Sequence, residues 1–128
     1  MRQIVYISQA LPDFRVEDLG ALLYDARYLN RKDGVTGLLL FDGKRFLQAL
    51  EGSSSEVGAT FARISKDKRH QSIAILSDRT IEFREFGNWD MATKVREASD
   101  YSNSVTELVA QVSTPEIKAA FAGFVGAG

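Results

Sequence analysis

An α+β fold with the element order βαββαββ follows from three features of the sequence: short β-branched and aromatic runs, two stretches of helical apolar spacing between them, and glycine turns that divide the runs. Ile4 to Ser8 is the first β run, closed by the Pro12-Asp13 turn signal. From Val16 to Asn30 the apolar residues Leu19, Leu22, Leu23, Ala26 and Leu29 recur at helical spacing, behind Glu17 and Asp18, whose charge suits a helix N-terminus. Lys32-Asp33-Gly34 then turns the chain into Val35 to Phe41, and Asp42-Gly43 separates that run from Phe46 to Leu50, so the two form a β-hairpin. Ser54 or Ser55 caps a second helix through about Asp67, with Val57, Phe61 and Ile64 on one face. Ile73 to Leu76 and Ile81 to Trp89 complete the strands, an order that suits a ferredoxin-like sheet with two helices on one face.

The other face needs a cover as well. Val35 to Phe41 and Phe46 to Leu50 are nearly continuous apolar runs, the pattern of strands buried on both sides. Ser99 to Phe124 reads as two short helices, the later one opened by Thr114 as cap and Pro115 at the first helical position. This pair, or a second subunit in a homodimer, is expected to pack on the open face. The expected division is a core over residues 1–95 and a helical extension of the same domain over 96–128.

Composition narrows the function classes. The chain has 128 residues, 45% of them hydrophobic, which is the size of one domain with one core. Sixteen basic residues against seventeen acidic ones leave no broad field that would draw the protein to nucleic acid or an anionic membrane. No cysteine is present, which excludes disulfides, thiolate metal sites and thiol catalysis and suits the cytoplasm. No apolar run is long enough for a signal peptide or a membrane span. A single histidine, His70, cannot build a metal cluster and is read as structural. An enzyme is disfavoured, since the sequence shows no nucleophile motif with a histidine partner, no phosphate-binding glycine loop and no nicotinamide motif.

Three polar residues stand among apolar ones. Asn30 falls four residues after Ala26, which puts its amide on the apolar face of a continued helix, although an asparagine at a helix end also serves as a cap. Gln48 shares a strand face with Phe46 and Leu50, because strand side chains alternate. Tyr6 lies in the middle of the first strand, where a buried ring would need a partner for its hydroxyl, or would simply pack. Burying such a group without a partner costs roughly 1–3 kcal/mol, so each calls for a local explanation. Together they describe a buried polar site.

In its ordered phrases the chain resembles the BLUF family, named for blue light using flavin. The phrases are Val5-Tyr6-Ile7-Ser8, Ala26-Arg27 with Asn30, Gly34 to Leu40, Arg45 to Gly52, Arg63-Ile64 with Asp67 and Arg69-His70, and Arg84 to Phe86 with Trp89 and Met91. Phe46 to Gly52 is the most specific of them. The resemblance implies a flavin held between the two main helices, with Tyr6 hydrogen-bonded to Gln48, the Gln48 amide on the ring, and Asn30 at the ring's polar edge. It implies that Arg63 and Asp67 lie near the ribityl and phosphate end, and that Trp89 and Met91 lie near the flavin. It implies a photoreceptor in which light-driven electron and proton transfer from Tyr6 rearranges the Gln48 hydrogen bonds and signals to a separate downstream protein. The resemblance makes FAD the default flavin, with FMN and riboflavin as alternatives that the sequence does not separate. Leu29 stands where some relatives carry a polar residue, which removes one contact to the ring edge. The rival reading is a ferredoxin-like binding or assembly module whose buried polar residues are only structural; it predicts a colourless protein.

Overall fold

The computed structural model describes residues 1–85 and 92–95, together with residues 115, 119 and 123. In chain order the elements are β1 (Arg2–Ala10), a 3₁₀ turn (Val16–Asp18), α1 (Leu19–Asp33), β2 (Thr36–Phe41), β3 (Arg45–Gly52), α2 (Ser54–Ser65), β4 (His70–Thr80) and β5 (Ala92–Val95). The sheet order is β4-β1-β3-β2-β5. The first four strands are antiparallel throughout, and β5 adds on β2 in parallel. This is the expected ferredoxin-like arrangement.

Local chemistry accounts for the boundaries. Gly34 ends α1 in the left-handed conformation at φ 70°, which glycine adopts without the Cβ clash that other residues meet there. Asn30 is therefore inside the last helical turns and is not the cap. α2 is capped one residue earlier than expected: the Ser53 hydroxyl accepts from the Glu56 N–H at 3.3 Å, and the helix stops at Ser65, leaving Asp67 in the following turn. In the β2–β3 turn, Asp42 Oδ1 accepts from the backbone N–H groups of Lys44 and Arg45 at 2.9 and 2.7 Å. Gly43 beside it takes φ 96°. β4 slips register twice against β1, and Ser72 adopts φ 55° close to the second slip, as in a β-bulge.

Strand alternation sorts the core into two faces. Ile4, Tyr6, Leu39, Phe41, Phe46 and Leu50 point toward the helices and form one cluster with Leu19 of α1 and Val57 of α2. Val5, Leu38, Leu40, Leu47 and Ala49 point the other way and are also buried, as the apolar runs require. The expected cover of that face by C-terminal helices falls outside the described residues, apart from Pro115, Ala119 and Gly123, which are helical and exposed.

The last strand is where the sequence reading needs correction. Of the expected strand from Ile81 to Trp89, residues 81–85 are irregular and 86–89 lie outside the described residues; β5 begins at Ala92. The polar groups of Arg84 and Glu85 are engaged elsewhere. Arg84 donates to the carbonyls of Gly34 at 2.8 Å and Glu51 at 3.0 Å and to the Thr36 hydroxyl at 2.7 Å, tying the ends of α1, β3 and β2 together. The Glu85 N–H donates to Glu51 Oε2 at 2.9 Å, and the same oxygen accepts from Gln3 Nε2 at 2.7 Å. Arg79 completes the group by donating to Gln3 Oε1 at 3.0 Å and pairing with Glu85. Glu51 and Gln3 are fully buried, so each polar atom here must find a partner inside the protein.

At Gly37 the β2–β3 contact leaves no room for a side chain. A Cβ on Gly37 would overlap the Ala49 carbonyl oxygen, a backbone atom that cannot rotate away. Gly37→Ala is expected to destabilise the fold by about 3 kcal/mol, in the range of overpacked cores. Urea unfolding of the variant measures this, and a loss below about 1 kcal/mol would show that the two strands can spread apart.

Candidate functional site

β1 and β3 run antiparallel with Tyr6 directly opposite Gln48. Paired residues share a face, so both side chains rise from the sheet on the helix side. The Tyr6 hydroxyl donates to Gln48 Oε1, which turns the amide nitrogen of Gln48 away from the phenol. Both residues are buried, Tyr6 at 3% and Gln48 at 4% exposure. Burial, reinforced by the negative charge of Asp67, pushes the Tyr6 phenol far above its ordinary pKa, so it stays protonated over the whole physiological range. Phe61 meets the Tyr6 ring edge to face at 5.5 Å and fixes its orientation.

Above this pair lies a cavity of about 380 Å³ between α1 and α2. Its apolar walls include Leu22, Ala26, Leu29, Leu39 and Ile64, and Tyr6, Asn30, Gln48, Arg63 and Asp67 all line it. The described residues thus bring five of the expected site residues around one space; Trp89 and Met91 lie outside the described residues. Asn30 is 1% exposed, and its Oδ1 accepts from Arg63 Nη2 at 3.2 Å. Its Nδ2 is buried with no partner among the described residues. A buried donor without an acceptor in a cavity wall is a group built for a ligand acceptor.

Arg63 stands close to Asn30 and also faces Asp33 at 4.0 Å. The more firmly held charge is Asp67. Arg69 donates to it from Nε at 2.9 Å, from Nη2 at 2.6 Å and from the backbone N–H at 2.9 Å. Those hydrogen bonds hold the Asp67 carboxyl below the usual carboxylate range. Arg69 also reaches Asp25 of α1 at 3.7 Å, joining the two sides of the cavity.

Sequence reasoning placed His70 as structural, and its bonding agrees, although the residue also lines the cavity. Nε2 lies 2.7 Å from the Ile64 carbonyl, which can only accept, so this nitrogen carries a hydrogen. In the neutral ring Nδ1 then accepts from the Ser8 hydroxyl at 2.8 Å. Ser8 is two residues beyond Tyr6 on the same strand face, and that alternation is the signal by which it could have been assigned to the site. Arg69, Asp25, Tyr24 and Tyr28 also line the cavity and had no such signal, since each sits on a turn or a polar helix face.

A tricyclic redox cofactor suits this geometry: an apolar slot between two helices, a phenol and an amide at its floor, and an unsatisfied amide donor at its edge. The class is a small α+β cofactor-binding module. The BLUF family model, described as sensors of blue light using FAD, matches residues 1–92, and the chain belongs to that family. It is 30% identical over 93 residues to photoactivated adenylate cyclase subunit alpha of Euglena gracilis, a match covering 71% of this chain and 9% of the cyclase subunit. The chain therefore spans about a tenth of the length of that relative. The dark-state structure of BlrB, a BLUF protein, superposes with a TM-score of 0.78 at 26% identity, covering 99% of this chain and 96% of BlrB. Klebsiella pneumoniae BlrP1 with FMN and cyclic diGMP superposes at 0.85 and 27% identity, over 98% of this chain and 34% of BlrP1. The matched residues are those of a blue-light sensor and not of a catalytic domain.

The Asp67 ion pair predicts a pH dependence. Because the folded-state pKa is depressed, the stability contributed by the carboxylate is present above its unfolded value of about 4 and is lost as pH falls through the folded value. Asp67→Asn should cost up to about 1 kcal/mol at neutral pH. The gap between the two proteins in urea unfolding should close as pH is lowered below about 4. A gap that persists unchanged in acid would mean that the charge contributes nothing.

Proposed function

We propose that this chain senses blue light through a flavin bound between α1 and α2, with Tyr6 as electron and proton donor and Gln48 as the group whose hydrogen bonds record the event. The observation that carries this reading is the buried Tyr6–Gln48 hydrogen bond at the floor of a cavity whose wall holds the unsatisfied Asn30 Nδ2.

The bound flavin supplies blue absorption and, when excited, an electron acceptor. Tyr6 is the donor within reach. Removing an electron from a phenol makes it a strong acid, and the Tyr6 proton has one prepared path, along its hydrogen bond to Gln48 Oε1. When electron and proton return to Tyr6, the Gln48 amide is left in a different hydrogen-bonding arrangement, with no net chemistry. The low exposure of both side chains keeps water from offering an alternative proton acceptor. Asn30 Nδ2 would donate to the polar edge of the ring, with Arg63 holding the Asn30 amide in place. Leu29 supplies apolar wall where some relatives have a further polar contact. Arg63, Asp67 and Arg69 would meet the ribityl chain and phosphate, and the family resemblance adds Trp89 and Met91 to the proposed flavin surroundings.

FAD is the proposed flavin, supported by the family description, although BlrP1 was solved with FMN. Residues 1–95 form the flavin-binding core and 96–128 an extension that carries the signal outward. The light state is read by a downstream protein or by a second copy of this chain; the Euglena gracilis relative is by name a subunit of a photoactivated adenylate cyclase. A cytoplasmic setting fits the absence of cysteine, and among the described residues no helix is long and apolar enough to cross a membrane.

The test is the absorption spectrum of the purified protein before and after blue light. A yellow protein whose bands shift slightly to the red and recover in the dark, with the shift abolished in Tyr6→Phe, is the expected result. A colourless protein that takes up no flavin, or a Tyr6→Phe variant that shifts like the parent, would overturn the reading.

A further inference from the structure

The cavity is small for a dinucleotide. At about 380 Å³ it falls near the lower end of the roughly 300–1,000 Å³ typical of enclosed ligand sites, so it can enclose a ring system and little of a nucleotide tail. Whatever follows the ring must lie at the mouth.

The mouth carries an unusual pair. Tyr24 and Tyr28 are four residues apart on α1, so they lie one turn apart along one strip of the helix. They are 75% and 66% exposed, yet both line the cavity. Among the described residues the other exposed large apolar side chains are Met1, Ile75, Leu76 and Phe83, and none of these lines it. Asp25, next to Tyr24 in the chain, reaches Arg69 across the gap from α1, which places the pair at the rim where a ligand tail would emerge. Arg69 puts a guanidinium at the same rim, and its contact with Asp25 is the looser of its two ion pairs, at 3.7 Å against 2.6 Å to Asp67. A phosphate group could exchange with Asp25 without disturbing Asp67.

We infer that Tyr24 and Tyr28 form an aromatic platform for the adenine base of FAD, and that this platform makes the site prefer FAD to FMN and riboflavin. The inference rests on the flavin reading of the cavity. The physical basis is that a purine has an extended π face, that tyrosine rings already exposed to water lose little by being covered, and that base–aromatic stacking is tolerant of exact geometry.

Flavin-free full-length protein titrated with FAD, FMN and riboflavin, followed by flavin fluorescence anisotropy, tests it. The parent protein should bind FAD about tenfold more tightly than FMN, a typical effect of one stacked base. The Tyr24→Ala/Tyr28→Ala variant should lose that preference while its riboflavin affinity stays within about twofold, and Tyr24→Phe/Tyr28→Phe should retain the preference, because stacking needs the ring and not the hydroxyl. Equal affinity of the parent protein for FAD and FMN would overturn the platform and leave the flavin site standing, as would an alanine variant that weakens all three ligands alike. Failure of the parent protein to bind any of the three would instead remove the flavin reading itself.

Discussion

The antiparallel register of β1 against β3 is the constraint on which the site depends. It sets Tyr6 opposite Gln48, and a slip of one residue would send one of the two side chains to the other face of the sheet. The register is secured from several directions. Leu39 pairs with Gln48 from the other side, and Gly37 lets β2 approach β3 closely. The Gln3–Glu51 hydrogen bond, on a register pair of its own, fixes the same two strands from the opposite face. A polar pair buried that completely keeps this hydrogen bond in one register and loses it in any other, which is how buried polar contacts specify a structure.

The same economy governs the cavity wall. Arg63 satisfies the oxygen of Asn30 and leaves its nitrogen without a partner among the described residues. Asp67 is neutralised by Arg69 without being consumed by it, since its charge still raises the Tyr6 phenol. A phenol kept protonated by its surroundings is poorly suited to acid–base catalysis at neutral pH, whereas it retains its proton until oxidation makes that proton acidic. The electrostatics therefore favour a light-triggered donor over a general base.

Much of this was legible in the sequence. Tyr6, Gln48 and Asn30 announced themselves by alternation and helical spacing, because those periods depend only on the local backbone. Gly34 and the Asp42-Gly43 turn were legible for the same reason. The irregular course of residues 81–85 was not. Ile81 to Trp89 has strand-like residues, but Ile81 donates its N–H to the Met1 carbonyl and Arg84 and Glu85 bind groups more than thirty residues away, so long-range hydrogen bonds override local propensity. Ser54 or Ser55 was the expected cap for α2, and the structure uses Ser53, the first of the three consecutive serines. Arg63 was assigned to the phosphate end by resemblance, while its hydrogen bond to Asn30 crosses 33 residues and left no local trace.

On the proposed mechanism, a buried switch must still be read from outside. Gln48 is almost inaccessible, so no partner touches it, and a partner can distinguish two states only where their surfaces differ. The change has to travel through packing. Along β3 its immediate neighbours Leu47 and Ala49 project from the opposite face and are fully buried, so displacing that strand disturbs whatever covers the far side of the sheet. Three residues on, Glu51 and its carbonyl are held by Glu85 and Arg84, the residues that lead out of the core toward β5. A strand clamped at that end and bonded to Tyr6 in its middle cannot adjust one contact without loading the other, and that coupling gives a buried amide rearrangement a mechanical route to the part of the chain that follows.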